Sequence, residues 1–530
     1  MTRATAHHPE KPMPIGRRTL LAGLPALAVA AGGLRDYAHA AAPAGQTLRA
    51  AITGFSVINT LDPGKAAVNP EFFIIWGVYN TLVKFTPEMK IVGDLAESWT
   101  NPDPTTWEFK LKHGVKFHDG SEMTAEDVVF TFQRLADPAF GSPVHKKMAP
   151  VTEVIAVDPY TVRITTDKPF SPLLTYLTNT RTSTQIVCKK AVLAMGNDQY
   201  GRTPVGTGPW KLTDWRPNER LTFAAHTGYF EPGLPRSSIL EVPLIRDDSS
   251  AINALEAGGL EFVNATPYAD SERLQKMPSV VFSSMPGLNA RFTALNIQKP
   301  PFDDVHFRRA VSMSINREAY VQAVVFGQAV PSQGYIPKAI GWAFDETPHE
   351  YAQFNPARAK EELAKSKYGP GTEAVITGFP DAWWKRMTEV FVDMANKVLG
   401  VKFRVELVDA RTAFTRWSAN DGQAWPTGWI ALCDPDEYLF DCFHTTGWRN
   451  FTKYSNPAVD QLLEQARQEL DRETKGGALY KQAERLIAED CPSIFLMNTF
   501  SDSAVLAKVK GFEHTPFDGF GAQLAPMVAT

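Results

Sequence analysis

Residues 107–134 read WEFKLKHGVKFHDGSEMTAEDVVFTFQR. Val115 and Phe117 alternate with Lys116 as in a strand, and Asp119-Gly120 supplies a turn in which glycine tolerates positive φ. Thr124 then stands at a helix N-cap, with Glu126 and Asp127 in the first turn against the helix dipole. Asp127, at the third helical position, is a shorter form of the capping-box glutamate. Val128, Val129 and Phe132 supply apolar bulk for packing. Every polar residue here has a structural task, so His118 and Asp119 are read as scaffold and not as catalytic groups.

Outward from this corner, strand-like runs alternate with helical ones. TLRAAIT (47–53) reads as a first strand, and TTWEFKLKHGVKF (105–117) as a hairpin turning at His113-Gly114. TVRITT (161–166) is a further strand, and KLTDWRPNERLTFAAH (211–226) a hairpin turning at Pro217-Asn218. VKFRVELVD (401–409) reads as a strand after the helix RMTEVFVDMANKVLG (386–400). PAVDQLLEQARQEL and KGGALYKQAERLIAED are two late helices with one apolar face each. Mixed elements in this order predict α/β domains. The 530 residues exceed the roughly 100–200 expected of one domain, so two or three are expected.

Composition narrows the class. Apolar residues are 44% and charged residues 21%, as in soluble globular proteins, and the net charge of −4 points away from nucleic acid. Residues 1–40 run from a polar segment through Arg17-Arg18 and an Ala/Leu/Gly stretch to Ala38-His39-Ala40, the order of an export signal. The paired arginines resemble a twin-arginine signal, with cleavage near Ala40. No later run approaches the roughly 20 apolar residues of a membrane span. With Cys188 the first cysteine, there is no residue for a lipid anchor. The expected address is the periplasm. Cys433 and Cys442 bracket the segment CDPDEYLFDC as candidates for a short disulfide, against the alternative of buried thiols.

The opening stretch closely resembles the signature of extracellular solute-binding proteins of family 5, the peptide/nickel-type receptors of ABC importers. Other motifs follow in that family's order: NTLDP (59–63), VYNTLVKFTPEMKIVGDLAESW (78–99), PVGTGPWKL (204–212), LNIQKPPFDDVHFRRAVSMSINREAY (295–320) and YSNPAVDQLLEQAR (454–467). The resemblance implies a two-lobed periplasmic binding-protein fold of the cluster C type, with an inserted subdomain and a hinge of two crossings. Lobe I would comprise 41–77, 204–286 and 500–530, with 78–203 as its inserted subdomain, and lobe II would be 287–499. It further implies a monomer that takes a small-molecule solute to an inner-membrane permease and ATPase, with no cofactor of its own.

No GxSxG, HExxH or phosphate-cradling GxGxxG motif is present, and no residues are expected as catalytic groups or metal ligands. Aromatic side chains are the better candidates for ligand contact: Trp383, Trp384, Trp425 and Trp429 in lobe II, where an indole offers rigid area and one donor. Asp434 and Asn69 complete the candidate set. The chain departs from dipeptide-binding members, because Ile430, Ala431 and Leu432 stand where an acid after the tryptophan is usual. TGFPDAWW likewise offers no evident arginine, although Lys385 and Arg386 follow. A zwitterionic dipeptide would lose charge-assisted bonds worth about 1.5–3 kcal/mol each. The solute class therefore stays open between peptides and other small organic molecules. Two alternatives remain: a receptor presenting its ligand to a membrane sensor, and an envelope enzyme or chaperone on the same fold.

Overall fold

The structure, a computed structural model, describes residues 46–53, 57–430, 432–517 and 523–530. The export signal expected over 1–40 lies outside them. Helices and strands alternate along the chain, as an α/β fold requires. Among the described residues no helix is long and apolar enough to cross a membrane.

In the opening stretch the helix is Ala125–Ala136, and the Thr124 amide donates to Asp127 Oδ2 at 3.0 Å. The shorter acid does the work of the capping-box glutamate and also accepts from the Lys189 amide at 2.9 Å. Val128, Phe132 and Leu135 are buried beneath it. Arg134, near the end of the helix, makes a buried ion pair with Asp62 of the NTLDP motif at 2.5 Å. His118 is buried too. Its Nδ1 accepts from the Gly206 amide at 3.3 Å and its Nε2 meets the Gly208 carbonyl at 2.9 Å. Burial pushes this imidazole down to about 3.

That histidine fastens the VGTGPW loop where it passes the end of the helix Asn69–Val78. The approach is close, for a Cβ on Gly206 would lie 2.0 Å from the Val78 carbonyl oxygen. Gly206→Ala is therefore expected to lower the free energy of unfolding by about 3 kcal/mol, measured by urea denaturation.

The hairpin expected over 105–117 does not form. Thr106–Leu111 pairs with Ala96–Asp103 and Thr161–Thr166, and 115–117 contributes a single bridge between Lys116 and Glu122. Trp107 lies opposite Ile164 and Phe109 opposite Val162, so the inward residues find apolar partners fifty residues away. Local turn residues could not outweigh that burial. The hairpin over 211–226 does form, as Trp210–Arg216 and Arg220–Ala225, with Asn218 at φ 62° in its turn.

The main sheet among the described residues has eleven strands. One end runs Lys402–Leu407, Glu373–Gly378, Ala424–Trp429. The other runs Phe262–Val263, Thr47–Thr53, Ile239–Ile245, Arg220–Ala225, Trp210–Arg216. Two long antiparallel strands join them, Val280–Leu295 and Ser493–Leu506. Residues 280–286 pair with 500–506 on one side, and 289–294 with 493–499 on the other, with a register shift between Pro286 and Asn289. A bulge of this kind bends a strand locally. A Cβ on Gly287 inside it would come within 2.9 Å of the Thr499 carbonyl oxygen. His514 holds the two strands together beside this bend, through Ser283 Oγ at 2.8 Å and Ser501 Oγ at 3.1 Å.

Apolar packing divides at the same place. One core gathers Leu48, Ile52, Phe132, Phe223 and Val505, and includes the residues under the four-stranded sheet. Two others, centred on Phe292, Tyr335 and Trp425 and on Phe307, Phe391 and Phe403, lie on the far side.

Candidate functional site

Glu373–Gly378 and Ala424–Trp429 run parallel, and the carboxyl end of the second reaches the level of the bulge, where Trp429 lies opposite Ala290. Ligands of open α/β sheets sit at such strand ends. After Gly378 the chain turns through Phe379 into the helix Ala382–Leu399, whose cap Asp381 accepts from the Trp383 amide at 3.1 Å. This places Trp383 and Trp384 in the first turn, with ring centroids 4.5 Å apart and planes at 75°. The Arg291 guanidinium lies 4.9 Å from the first ring and 5.5 Å from the second. Such placement over indoles is favourable for a cation. Trp383 also meets Tyr268, from the opposite side of the bulge, at 6.5 Å. Its Nε1 is buried and has no hydrogen-bond partner among the described residues.

The other two tryptophans separate. Trp425 is completely buried and stacks on Trp417 at 5.3 Å with 17° between planes. It is a core residue, in place of the ligand contact expected from the sequence. Trp429 remains partly accessible, packs beside Phe451 at 6.3 Å and carries the Arg449 guanidinium at 4.6 Å. Exposed Trp448 flanks the same cation at 4.3 Å. Phe379, Trp417 and Phe451 link the two tryptophan groups into one aromatic band.

Asp434 is buried and its oxygens are occupied. It caps the helix Pro435–Phe443 through the Asp436 amide at 2.9 Å, accepts from Thr175 Oγ1 at 2.7 Å and pairs with Arg472 at 2.8 Å. The structure thus gives it a structural role where ligand contact was expected. The proposed disulfide is not made, since Cys433 and Cys442 are buried thiols with no S–S bond between them. The segment between them is this helix and not a loop.

Asn69, half-buried, opens the helix Asn69–Val78 in the first half. Two residues before it, the Ala67 carbonyl accepts from Arg181 Nη2 at 3.4 Å. Arg181 also lies 5.5 Å over the Phe72 ring. Burial and the nearby Arg449 hold its guanidinium down to about 10. Arg181, Arg291, Arg449 and Tyr268 escaped notice in the sequence, because nothing local distinguishes an arginine that faces a cleft from one in solvent. The only signals were Arg449 directly after Trp448, and Arg291 inside an otherwise apolar strand run.

Aromatic rings and guanidinium groups thus gather beside the bent pair of strands, with Tyr268 from the other side of the bulge against Trp383. The profile of the bacterial extracellular solute-binding proteins, family 5 (middle region), matches residues 90–450. The chain belongs to that family.

Among its relatives, the glutathione-binding protein GsiB of Escherichia coli (strain K12) is 28% identical over 494 residues, covering 89% of this chain and 93% of that protein. Two solved structures are similar across nearly the whole molecule. The ABC transporter-associated periplasmic binding protein DppA from Helicobacter pylori, in complex with the peptide STSA, is 25% identical with a TM-score of 0.78, covering 91% of this chain and 98% of that one. OppA of Burkholderia pseudomallei is 25% identical with a TM-score of 0.77, covering 92% and 100%. These likenesses agree with the two-lobed fold expected from the sequence. A family of solute-binding proteins also accounts for motifs that are scaffold and not catalysis.

In this family 5 protein a charged seam follows the helix Pro435–Phe443. Four carboxylates on or capping the helix Pro435–Phe443 each face a cation. Lys147 binds Glu437, Arg467 binds Asp436 at 2.9 Å and Arg449 lies 3.5 Å from Asp441, in addition to Arg472 on Asp434. Burial pushes Asp436 up to about 7 in spite of Arg467. Burial pushes Glu437 up as well, but Lys147 and a Cys433 amide bond outweigh it and hold that carboxyl low. Lys147 comes from the turn before the strand Val151–Asp158 of the four-stranded sheet, and Thr175 and Tyr176 from the segment between that sheet and the VGTGPW loop, so the seam joins this region to the second half.

Proposed function

We propose that the chain is the solute-capturing receptor of an ABC importer, working in the periplasm after removal of residues 1–40 and delivering its cargo to a membrane permease whose ATPase partner supplies the energy. The lobes are those expected from the sequence: 41–77, 204–286 and 500–530 form lobe I, 78–203 its inserted subdomain, and 287–499 lobe II. The observation that carries this is the meeting of Tyr268 with Trp383 across the bulge in the two crossing strands. The Pro286–Asn289 bulge is the hinge, and the aromatic band is the wall that closes on the solute.

The relatives named above are described by glutathione and by the peptide STSA, and a short peptide or a conjugate of similar size suits this cleft as well. Ring faces supply contact area for such a solute. A solute that touches both lobes adds contacts available only when they are closed, and so shifts the open–closed equilibrium. Moving it from 1:99 to 99:1 takes about 5.5 kcal/mol of differential affinity.

Small-angle scattering of the exported protein tests this. A bound solute is expected to reduce the radius of gyration, and Trp383→Ala to weaken binding by about 1–2 kcal/mol, roughly ten-fold. Tight binding with no compaction would refute capture by closure.

A further inference from the structure

Between Pro286 and Asn289 the ladder of the two crossing strands skips Gly287 and Leu288, and Leu288 is completely buried. A buried amide and carbonyl each need a partner. The Leu288 amide donates to the Pro516 carbonyl at 3.2 Å, and its carbonyl accepts from the Tyr438 hydroxyl of the helix Pro435–Phe443. Pro516 belongs to the tail of the chain, which is also bound on the other side of the bend. His514, two residues earlier, meets Ser283 Oγ through Nδ1 at 2.8 Å and Ser501 Oγ through Nε2 at 3.1 Å, one hydroxyl from each crossing strand. The Ser501 hydroxyl donates to the Thr515 carbonyl at 3.3 Å, so it accepts from Nε2–H, and Nδ1 accepts from Ser283. Burial pushes this imidazole down to about 4, so it stays neutral and keeps one nitrogen for each role. Phe512 packs on Phe262 of the first core at 5.7 Å. Phe517 is buried in the second core with Leu288, its ring 6.3 Å from Phe85 and 6.5 Å from Trp76. Six residues of tail therefore touch both sides of the bend.

We propose that His514 is a positioning residue for solute capture: it fastens the tail segment 512–517 as a strap across the hinge, and this strap sets how far the two halves open. The proposal deepens the solute-capture reading and rests on its hinge. Rotation at the bulge carries Leu288 and Tyr438 with the second core, while His514 holds Pro516 against the crossing strands. Wide opening therefore costs the Leu288–Pro516 bond inside a buried site, where water does not replace it. His514 acts through the hinge and not through contact with the solute.

The experiment compares the exported protein with His514→Ala, His514→Gln, Ser283→Ala and the double variant His514→Ala/Ser283→Ala, by small-angle scattering without ligand and by stopped-flow release of glutathione. Loss of both histidine bonds is expected to shift the open–closed ratio about 10-fold toward the open form. The ligand-free radius of gyration then rises, and glutathione leaves about 10-fold faster. Ser283→Ala removes one of the two bonds and should speed release about 3-fold, and it keeps the test available if His514→Ala does not fold. His514→Gln, whose amide still reaches Ser501, should fall between the wild type and His514→Ala. Because Ser283 serves the strap only through His514, the double variant should match His514→Ala.

A lower unfolding midpoint in urea with unchanged radius and unchanged release would make His514 a packing residue and overturn the strap. A double variant that releases markedly faster than His514→Ala overturns it as well. Bound glutathione that leaves the radius of the wild type unchanged refutes the hinge itself, whereas compaction of the wild type with equal ligand-free radii for wild type and His514→Ala overturns only the strap. If glutathione does not bind, that cargo is excluded, and the ligand-free radii still decide the strap.

Discussion

Lys147→Met is expected to lower the unfolding free energy by about 3–5 kcal/mol, because it leaves Glu437 charged and buried with its cation gone. Both side chains are almost wholly excluded from solvent, at 6% and 4% exposure, so water cannot replace the lost partner. The Cys433 amide, 2.9 Å from Glu437 Oε2, supplies only one neutral bond in compensation. The double variant Lys147→Met/Glu437→Leu removes the stranded charge and is expected to recover most of the loss, since apolar replacements of buried ion pairs are often neutral or better. Urea denaturation of the two single variants and the double one gives the coupling directly. Because Lys147 and Glu437 lie on segments that the hinge reading places in different lobes, the single variant should also shift the ligand-free protein toward the open form. A coupling near zero would mean that the seam holds nothing.

The second large effect is a pH dependence at Glu484. This carboxyl is buried in the helix Gly477–Asp490 and accepts from the Tyr335 and Ile336 amides, the latter at 2.9 Å. Gly334 is required beside it, since a Cβ there would lie 2.4 Å from Glu484 Oε1. Burial raises the carboxyl from 4.5 to about 7, more than the two amide bonds lower it. Between those values the folded chain holds a proton that the unfolded chain has released. Stability from this group is therefore complete below pH 4.5 and is lost as the pH rises through about 7. The loss amounts to about 3 kcal/mol.

Glu484→Gln keeps an oxygen for the two amides and is expected to remove that slope. Asp436, also raised to about 7, adds a slope of the same sign. The measurement is accordingly the difference between wild type and Glu484→Gln from pH 4.5 to 8. Parallel profiles would mean that the carboxyl titrates normally.

Much of this protein was legible before its structure. The Thr124–Asp127 cap, the hairpin turning at Asn218 and the late helices Pro457–Gln468 and Gly477–Asp490 follow from signals that neighbours in sequence supply. The same holds for the α/β class and for membership of the family, because the motifs are short runs with local structural tasks. The hairpin at 105–117 failed for the opposite reason: Trp107 and Phe109 had stronger partners in Ile164 and Val162, which no local pattern reveals.

The candidate site divides along the same line. In the sequence Trp383, Trp384, Trp425 and Trp429 were equal candidates for ligand contact, and which of them belong to the core was not readable. Trp425 and Trp429 lie four residues apart on one face of one strand, yet one stacks in the core on Trp417 and the other supports Arg449 at the edge. Asp434 and the two cysteines were settled by a helix that occupies the supposed loop. Sequence alone determined the caps, turns, apolar periods and family, since each depends on residues within a few positions. The tertiary structure decided which tryptophans are core and that the charged seam is buried, because packing, charge balance and desolvation depend on what distant segments bring into contact.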